Sequence, residues 1–413
     1  MNEQIKQRIT QLNNGEVPNG YEKTEIGTFP IGWKTTMLDK LLEFKNGVNA
    51  DKEKYNSGVK MISVMDILTD SPIYYDKIKG QVDIDEKTLD TYSVTYGDIL
   101  FQRSSETFED AGKSNVYLDQ DRTATYSGFV IRGKKKADYN PYFLNEALRI
   151  GQVRNQIIRN AAGSQHINVG QDSLAKIIVP LASDIEQSKI AEILMKWDEA
   201  IELQEEFIHT LEIKRMAILQ SFFSKEKCSN WIKLSDYVKE VSNRNNIGCQ
   251  NVKSVSNKNG FIDQSSQFSK QVASEDVSKY KVVTKDCVAY NPSRINVGSI
   301  AIYNEDTPGI VSPMYVVFKC VNMDPRFLLL LLETARGKYE VKSYLSGSVR
   351  DSLAFEDLKS IELAVPPKEK WGEIVDIFNI IDAQYSLYND KLSFLKRQRK
   401  TLQQYLLNGI VRV

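Results

Sequence analysis

Two stretches of this chain share one pattern of apolar positions, which step alternately by four and by three residues. In the first stretch the positions are Ile190, Leu194, Trp197, Ile201, Gln204, Ile208, Leu211, Arg215, Ile218 and Phe222. The second stretch repeats the pattern at a constant offset in residue number, with Ile374, Phe378, Ile381, Tyr385, Tyr388, Leu392, Leu395, Arg399, Leu402 and Leu406. A mean step of ~3.5 residues is the seam of a coiled coil, so the pattern predicts two long helices.

The repeat includes its own irregularities. Arg215 and Arg399 both occupy a seam position where an apolar residue is expected. Upstream of the helices, Gly163-Ser164 matches Gly347-Ser348 at the same offset in residue number. This offset is far longer than the ~20–50 residues of a solenoid repeat, so the duplicated unit is a whole module, in which a globular part is followed by a helical arm.

Two arms with the same register are expected to pair with each other, because each would otherwise expose its apolar stripe. We therefore favour an intramolecular coiled coil. Two alternatives remain open at this point: each helix packs on its own domain, or it pairs with another chain.

The segments outside the arms mix short runs typical of β-strands with helical stretches. The first segment predicts strands near 59–64, 98–101, 128–132 and 177–180 and a helix over 142–160. The second predicts strands near 281–290, 299–303 and 314–321 and a helix over 325–345. Asp184 is expected to cap the first arm, and Gly409 to end the second.

The predicted fold class is therefore α+β, with two globular domains and two arms. The first domain is expected over 1–183, including an N-terminal extension, and the first arm over 184–224. The second domain is expected over 225–367, and the second arm with a C-terminal tail over 368–413.

Composition adds limits on where the protein works. No apolar run approaches the ~18 residues of a membrane span, and the N-terminal residues are too polar for a signal peptide. We expect a soluble, cytoplasmic protein. The cysteines show no zinc-site spacing and are expected to be reduced and structural; they are Cys228, Cys249, Cys287 and Cys320.

The formal net charge is zero, but the charge is distributed unevenly. Residues 122–180 carry nine Lys or Arg and three Asp or Glu, a balance of +6, and residues 227–350 carry seventeen and eleven, again +6. The first arm, 184–224, carries four and nine, a balance of −5. The two basic segments are candidate phosphate-facing surfaces, although a modest basic excess is also common on ordinary surfaces.

Signatures of catalysis are incomplete in this sequence. Gly128 to Lys134 has the spacing of a phosphate-binding loop, but Lys135 stands where a Ser or Thr would hold magnesium. Asn291-Pro292-Ser293-Arg294 lacks the second proline and the aromatic residue of an amino-group methyltransferase motif. The two histidines, His166 and His209, do not complete a triad or a metal site. We therefore predict no catalytic residues, no metal and no cofactor.

Several motifs nevertheless match a known family. They are Phe29-Pro30-Ile31-Gly32-Trp33, Tyr96-Gly97-Asp98-Ile99-Leu100-Phe101, Gly163-Ser164-Gln165, and Ile178-Val179-Pro180-Leu181 leading into Glu186-Gln187-Ser188-Lys189-Ile190. On these motifs the chain resembles the specificity subunit of type I restriction-modification systems over nearly its whole length. The second copy departs from the pattern, because Lys370-Trp371 replaces the Glu-Gln pair.

The resemblance implies two target recognition domains that each read one half of a split DNA sequence. It implies that the arms form an antiparallel coiled coil with a pseudo-twofold repeat, whose length sets the spacer between the half-sites. Catalysis would belong to partners: two modification subunits that use S-adenosylmethionine to methylate adenine, and ATP-dependent restriction subunits. The arms would also dock the modification subunits, with Glu186, Gln187, Glu202, Glu205, Glu206 and Glu212 as candidate contacts. A solvated helix face is the alternative for each of these residues.

Side chains that read DNA are expected among polar and basic residues on loops. The candidates are Gln102, Arg103, Lys113, Arg132, Lys134, Gln165, His166, Lys258, Asn291, Arg294, Asn296, Ser348 and Arg350. Two other functions remain open: a specificity module of a type II-like restriction system, and a coiled-coil adaptor with two protein-binding domains.

Overall fold

The computed structural model describes residues 3–163, 165–257, 260–264, 276–345 and 351–413. The chain divides into two compact units. The first unit comprises Met1–Glu205 and Lys391–Val413, and the second comprises Glu206–Asp390. Among the described residues, no helix is both long and apolar enough to cross a membrane.

The first unit mixes short strands with short helices. Its strands are β1 (Tyr21–Thr24), β2 (Gly27–Pro30), β3 (Lys34–Met37), β4 (Leu42–Asn46), β5 (Tyr55–Ile62), β6 (Gln81–Val82), β7 (Ile99–Gln102), β8 (Ser104–Ser105), β9 (Ser114–Val116), β10 (Thr125–Tyr126), β11 (Val130–Lys135), β12 (Ile167–Asn168) and β13 (Ile178–Leu181). Its short helices are α1 (Glu3–Asn13), α2 (Leu38–Leu41), α3 (Val64–Ile67), α4 (Glu86–Thr91), α5 (Pro141–Ala147), α6 (Gly151–Arg159) and α7 (Gln171–Ala175).

The second unit has the same character. Its strands are β14 (Asn230–Lys233), β15 (Val238–Glu240), β16 (Lys253–Ser256), β17 (Gly260–Asp263), β18 (Lys281–Val283), β19 (Cys287–Tyr290), β20 (Ile300–Ile302), β21 (Gly309–Val311), β22 (Val316–Cys320) and β23 (Glu362–Val365). After the long helix α8 (Asp184–Phe222), the short helices of this unit are α9 (Pro325–Glu333), α10 (Ala335–Ser343) and α11 (Phe355–Ser360). The second long helix, α12 (Trp371–Leu407), follows.

Each unit contains a four-stranded antiparallel sheet with an equivalent strand order. In the first unit the order is β4-β11-β7-β9, and in the second it is β15-β22-β19-β20. A separate two-stranded pair, β3 with β13 and β14 with β23, completes the correspondence. The duplication predicted from the helices therefore extends through the globular parts, although their sequences have diverged.

The two predicted helices over 142–160 and 325–345 are each broken, so those predictions are wrong in the same way. The first breaks before Gly151, where Ile150 has an extended backbone, and the second breaks at Thr334. Thr334 caps the new helix by accepting a hydrogen bond from the Gly337 amide at 2.9 Å. Ile150 and Thr334 are separated by the same offset in residue number as the two arms, so the break itself is repeated.

The two long helices pack against each other within each unit. In the first unit Asp198 of α8 contacts Arg399 of α12, with 2.7 Å between Asp198 Oδ1 and Arg399 Nε. In the second unit Phe222 of α8 packs edge-on against Phe378 of α12 at 6.4 Å between ring centroids, and Phe207 packs similarly on Tyr388 at 4.7 Å. Because rising numbers on α8 meet falling numbers on α12, the pairing is antiparallel and intramolecular.

Apart from Ile218, the predicted seam side chains are buried or half-buried. Ile190, Leu194 and Phe378 are fully buried, and each belongs to the core of its own unit. Ile218 is the exception at 37% exposed, and its neighbour Leu219 is fully buried in the second core instead. A straight helix of ~3.6 residues per turn drifts from a strict ~3.5-residue repeat, which accounts for a shift by one position near the helix end.

Helix α8 begins at Asp184, so the predicted cap at this residue is wrong: Asp184 is the first helical residue, and the Glu186 N–H donates to the side chain of the preceding Ser183 at 3.4 Å. Helix α12 ends at Leu407, just before Gly409. Gly409 has φ +65°, a left-handed backbone that glycine adopts without strain.

Candidate nucleic-acid interface

In the first unit, three segments converge on Arg103, the residue that follows β7. Its backbone N–H donates to the Phe129 carbonyl at 3.0 Å, and its guanidinium donates to the Gly128 carbonyl at 3.3 Å. The Arg103 carbonyl in turn accepts from the Val169 N–H at 3.0 Å. The end of β7, the turn before β11 and the loop that ends at Val169 therefore meet at one place.

The loop before Val169 carries two of the predicted DNA contacts. Strand β12 pairs with β8, which directly follows Arg103, and Gln165 and His166 precede β12 with exposed side chains. The His166 carbonyl accepts from the Asn168 side chain at 3.1 Å, which helps to hold this loop. The structure thus brings Arg103, Gln165 and His166 into neighbouring segments, as a shared site requires.

Phe129 joins this group and was not among the predicted contacts. It lies in the turn beside Arg103, and its side chain is 66% exposed. An exposed aromatic ring next to a cation is a suitable surface for stacking on a nucleobase. Its position after Gly128, between strands, is the signal in the sequence that could have identified it.

Gln102 and Arg132 lie in the interior of the first unit. Gln102 is 5% exposed and donates to the Ser104 carbonyl at 2.8 Å. Arg132 is 4% exposed, donates to the Ser93 carbonyl, and lies over the Tyr126 ring at 5.4 Å. Both side chains therefore support the sheet in this structure, and their predicted role at DNA is untested.

The two predicted lysines lie apart from each other. Lys113 is exposed and pairs with the nearby Asp110 at 2.6 Å. Lys134 lies further along β11 than Val130, the residue that pairs with Gln102. At ~3.3 Å per residue, Lys134 lies about 13 Å along β11 from Val130, and therefore about that far from the end of β7 where Arg103 follows. The structure does not group Lys134 with Arg103.

The second unit repeats this arrangement at the end of β19. Asn291 follows that strand; it is buried, and its side-chain oxygen accepts from the Ser293 N–H at 3.1 Å. Arg294 and Asn296 are exposed in the turn that follows. The Leu353 N–H donates to the Pro292 carbonyl at 3.1 Å. This hydrogen bond corresponds to the one from the Val169 N–H to the Arg103 carbonyl in the first unit. The other predictions here, Lys258, Ser348 and Arg350, lie outside the described residues, as does Ser164 of the first unit.

Two of the six residues predicted to dock the partner, Glu186 and Gln187, have buried side chains. Glu186 is 4% exposed, and its carboxylate accepts from Trp33 Nε1 at 2.9 Å and from Arg412 Nε at 2.6 Å. Gln187 is 2% exposed and accepts from the Asn140 N–H at 2.9 Å. These contacts tie the start of α8 to the domain and to the C-terminal tail. The Glu-Gln pair therefore has a structural role within the first unit.

The corresponding place in the second unit is filled by an aromatic residue. Trp371 is 7% exposed, stacks on Phe327 at 4.5 Å between ring centroids, and donates to the Pro366 carbonyl at 3.0 Å. The departure of the second copy from the Glu-Gln motif thus exchanges a buried polar anchor for a stacked apolar one.

The other four docking candidates lie at the helix surface. Glu202 pairs with Lys77, and Glu205 pairs with Lys396 of α12 at 2.6 Å. Glu206 and Glu212 are exposed on α8. Since exposed ion pairs are weak, all four carboxylates remain accessible to a partner.

The sequence model of the type I restriction modification DNA specificity domain matches residues 30–213 and 236–397. The chain belongs to this family. The two matches correspond to the two copies of the module, and the resemblance inferred from the sequence is confirmed. Type I specificity subunits are non-catalytic, so the functional site is a binding surface.

Individual relatives agree over nearly the full length. A Methanocaldococcus jannaschii protein named as the putative specificity subunit of the type I restriction enzyme MjaX is 25% identical, over 95% of this chain and 97% of its own. The S subunit of a type I restriction-modification system from M. genitalium has a TM-score of 0.56 at 16% identity, covering 95% of this chain and 98% of that one.

A second solved structure concerns complex assembly and conformational transition of the type I system. Its matching chain has a TM-score of 0.54 at 13% identity and covers 93% of this chain and 99% of its own. These structures share the fold of this specificity subunit, which confirms the predicted class of two α+β domains with two long helices.

Replacing Gly163 by alanine should disturb the loop that carries Gln165 and His166. Gly163 has φ +138°, and an added Cβ would lie 1.9 Å from the His166 carbonyl oxygen. The strain is about 1–3 kcal/mol, and the loop should shift to relieve it. We expect about tenfold weaker binding to the target DNA, measured by fluorescence anisotropy of the assembled complex, while the variant still folds with a free energy of unfolding lowered by at most about 1–3 kcal/mol. Gly151→Ala is the control, because its Cβ would meet nothing within 4 Å; equal losses in both variants would contradict this account.

Proposed function

We propose that this chain reads a bipartite DNA sequence for a type I restriction-modification complex in the cytoplasm. The globular part of each unit recognises one half-site, and the paired helices α8 and α12 set the spacer between the half-sites. The partners are double-stranded DNA, two DNA-methyltransferase subunits, and ATP-dependent restriction subunits. Methylation of adenine and cleavage of DNA take place on those partners.

One observation carries the proposal: both units present a polar loop at the same point of an equivalent sheet. In the first unit this is the group of Arg103, Gln165 and His166, and in the second it is the turn with Arg294 and Asn296. A duplicated scaffold whose two copies carry different polar residues at equivalent strand ends suits a protein that recognises two different half-sites. Arginine, glutamine and asparagine are side chains that read base edges in the major groove.

The helices offer a separate surface for the methyltransferase subunits. On the part of α8 in the first unit the exposed carboxylates of Glu202 and Glu205 give an acidic face, and on the part in the second unit those of Glu206 and Glu212 are exposed as well. Glu186 and Gln187 contribute indirectly, because their buried hydrogen bonds hold the start of α8 in place. A basic surface on the partner would complement this face and would dock fastest at low salt.

The proposal is tested by methylome sequencing. A host expressing this chain with its cognate methyltransferase subunit is compared with a host carrying the methyltransferase alone. We expect N6-methyladenine at one split motif only when this chain is present. Absence of new methylation, with both proteins expressed and associated, would reject the proposal and favour a protein-binding adaptor.

Arg103→Ala should weaken recognition of one half-site. Loss of a bidentate contact to a base costs about 1–3 kcal/mol, which corresponds to about a 5- to 150-fold loss of affinity. Affinity for the target and for single-base variants of each half-site is measured at constant salt. We expect discrimination to relax in only one half-site. Lys134→Ala, at the far part of β11, should lose less than about twofold; an equal loss would contradict the site at Arg103.

A further inference from the structure

The arginine that interrupts the seam of α12 lies at a junction of three helices. Arg399 Nε contacts Asp198 of α8 at 2.7 Å, and Arg399 Nη2 contacts Glu146 of α5 at 2.7 Å. The Arg399 side chain is 11% exposed and that of Glu146 is 1% exposed. The Tyr142 hydroxyl accepts from the same guanidinium at 2.9 Å. This group of Arg399, Asp198, Glu146 and Tyr142 is called the first arginine junction.

The junction is ionic. Burial would lower the pKa of Arg399, but the charge of Glu146 and the hydrogen bond with Asp198 raise that pKa above its ordinary value. Glu146 is further held by Gln403 Nε2 at 2.9 Å and by Arg149 Nη1 at 3.2 Å. The guanidinium therefore stays charged and is held in place by carboxylate side chains of α5 and α8.

The second unit contains an equivalent group. Arg215 Nε of α8 contacts Asp382 of α12 at 2.6 Å, and its Nη1 and Nη2 contact Glu333 of α9 at 2.6 and 2.9 Å. Arg326 of α9 also binds Asp382. This group of Arg215, Asp382, Glu333 and Arg326 is called the second arginine junction.

The two junctions follow the repeat only in part. Arg399 is the repeat equivalent of Arg215, and Asp382 is the repeat equivalent of Asp198. The glutamate differs, because the position equivalent to Glu146 is Leu330, and Glu333 lies nearly one turn further along α9. Each unit thus joins α8, α12 and a helix of its globular part through one arginine. The glutamate that binds this arginine lies at a different position of the repeat in each unit.

Stability alone does not account for these arginines. An apolar residue of similar volume in a buried site is often equal or better for stability, since an ion pair must be desolvated. A polar residue in a coiled-coil seam instead fixes register. A planar guanidinium whose partners lie on two other helices also fixes orientation, because its hydrogen bonds require particular directions.

We propose that Arg399 and Arg215 are positioning residues that hold each globular part in one orientation on the helix pair of its own unit, and so make DNA binding selective for spacer length. This inference rests on the proposed function. One extra base pair moves a half-site by about 3.4 Å and turns it by about 34°. A protein that binds both half-sites discriminates against the altered spacer only if its recognition surfaces cannot reorient to follow the displaced half-site.

The test compares affinity for the natural target with affinity for targets whose spacer is one base pair longer or shorter, using the complex with methyltransferase subunits. The main variant is Glu146→Gln/Asp198→Asn/Arg399→Met, which neutralises the first junction without leaving a buried charge unpaired. Arg399→Lys keeps the charge but removes the planar fork. We expect the wild type to lose about tenfold or more on either altered spacer, and both variants to lose less than about threefold.

The control is Glu192→Gln/Lys196→Met, which removes an exposed ion pair of 2.6 Å on α8. It should keep the spacer preference of the wild type. If folded variants of the first junction also keep that preference, the inference is overturned and the proposed function stands. If the wild type itself shows no preference for any spacer, the proposed function fails. Should the triple variant not fold, Arg399→Lys decides the question.

Discussion

Replacing Arg399 by methionine is expected to lower the free energy of unfolding of the first unit by about 3–5 kcal/mol. The substitution removes the cation from between Asp198 and Glu146, and the Glu146 side chain is only 1% exposed. A buried carboxylate that loses a cation at 2.7 Å costs more than the loss of a surface ion pair. Gln403 and Arg149 still contact Glu146 and should keep the effect near the lower value.

Urea denaturation followed by circular dichroism measures this loss. Neutralising the two carboxylates as well, in Glu146→Gln/Asp198→Asn/Arg399→Met, should recover most of it, because no charge is then left buried. A change below about 0.5 kcal/mol for Arg399→Met, the size expected at an ordinary surface position, would contradict an ionic junction.

Phe378→Ala is expected to destabilise the second unit by about 3–5 kcal/mol. The Phe378 side chain is fully buried, packs edge-on against Phe222 at 6.4 Å, and lies under the Arg215 guanidinium at 5.3 Å. Its removal leaves a cavity where α8, α12 and the core of the second unit meet. The loss is measured as a shift of the urea midpoint at constant slope.

The same helix offers a matched control. Leu387 is 65% exposed on α12, so Leu387→Ala should change the free energy of unfolding by less than about 0.5 kcal/mol. Comparable losses in the two variants would mean that the heptad seam is not the packed face of this helix.

The apolar pattern predicted the long helices because their packing depends on periodicity, which the sequence shows directly. Ile190, Leu194 and Phe378 are buried as the seam requires. The breaks at Ile150 and Thr334 were not predicted. Glycine is unfavourable inside a helix and threonine is common at an N-cap, so Gly151 and Thr334 are local signals of these breaks, but single residues of both types also occur within unbroken helices.

The candidate interface was predicted less completely. Arg103, Gln165 and His166 come together because β8 pairs with β12, a contact between segments that are far apart in the sequence. Gln102, the residue before Arg103, points into the protein, because β7 lies between two other strands and is buried along its whole length. In such a strand, polarity alone does not identify an exposed side chain.

By itself, the sequence determined the duplicated module, the two helices with their common register, and the family, since each depends on patterns that are local or repeated along the chain. Only the tertiary structure decided which charged residues are internal. Arg399 contacts Glu146, and Glu186 contacts Arg412, although more than half of the chain separates the members of each pair. Whether a charge faces water or a buried partner depends on what the fold brings next to it, and composition and periodicity do not contain that information.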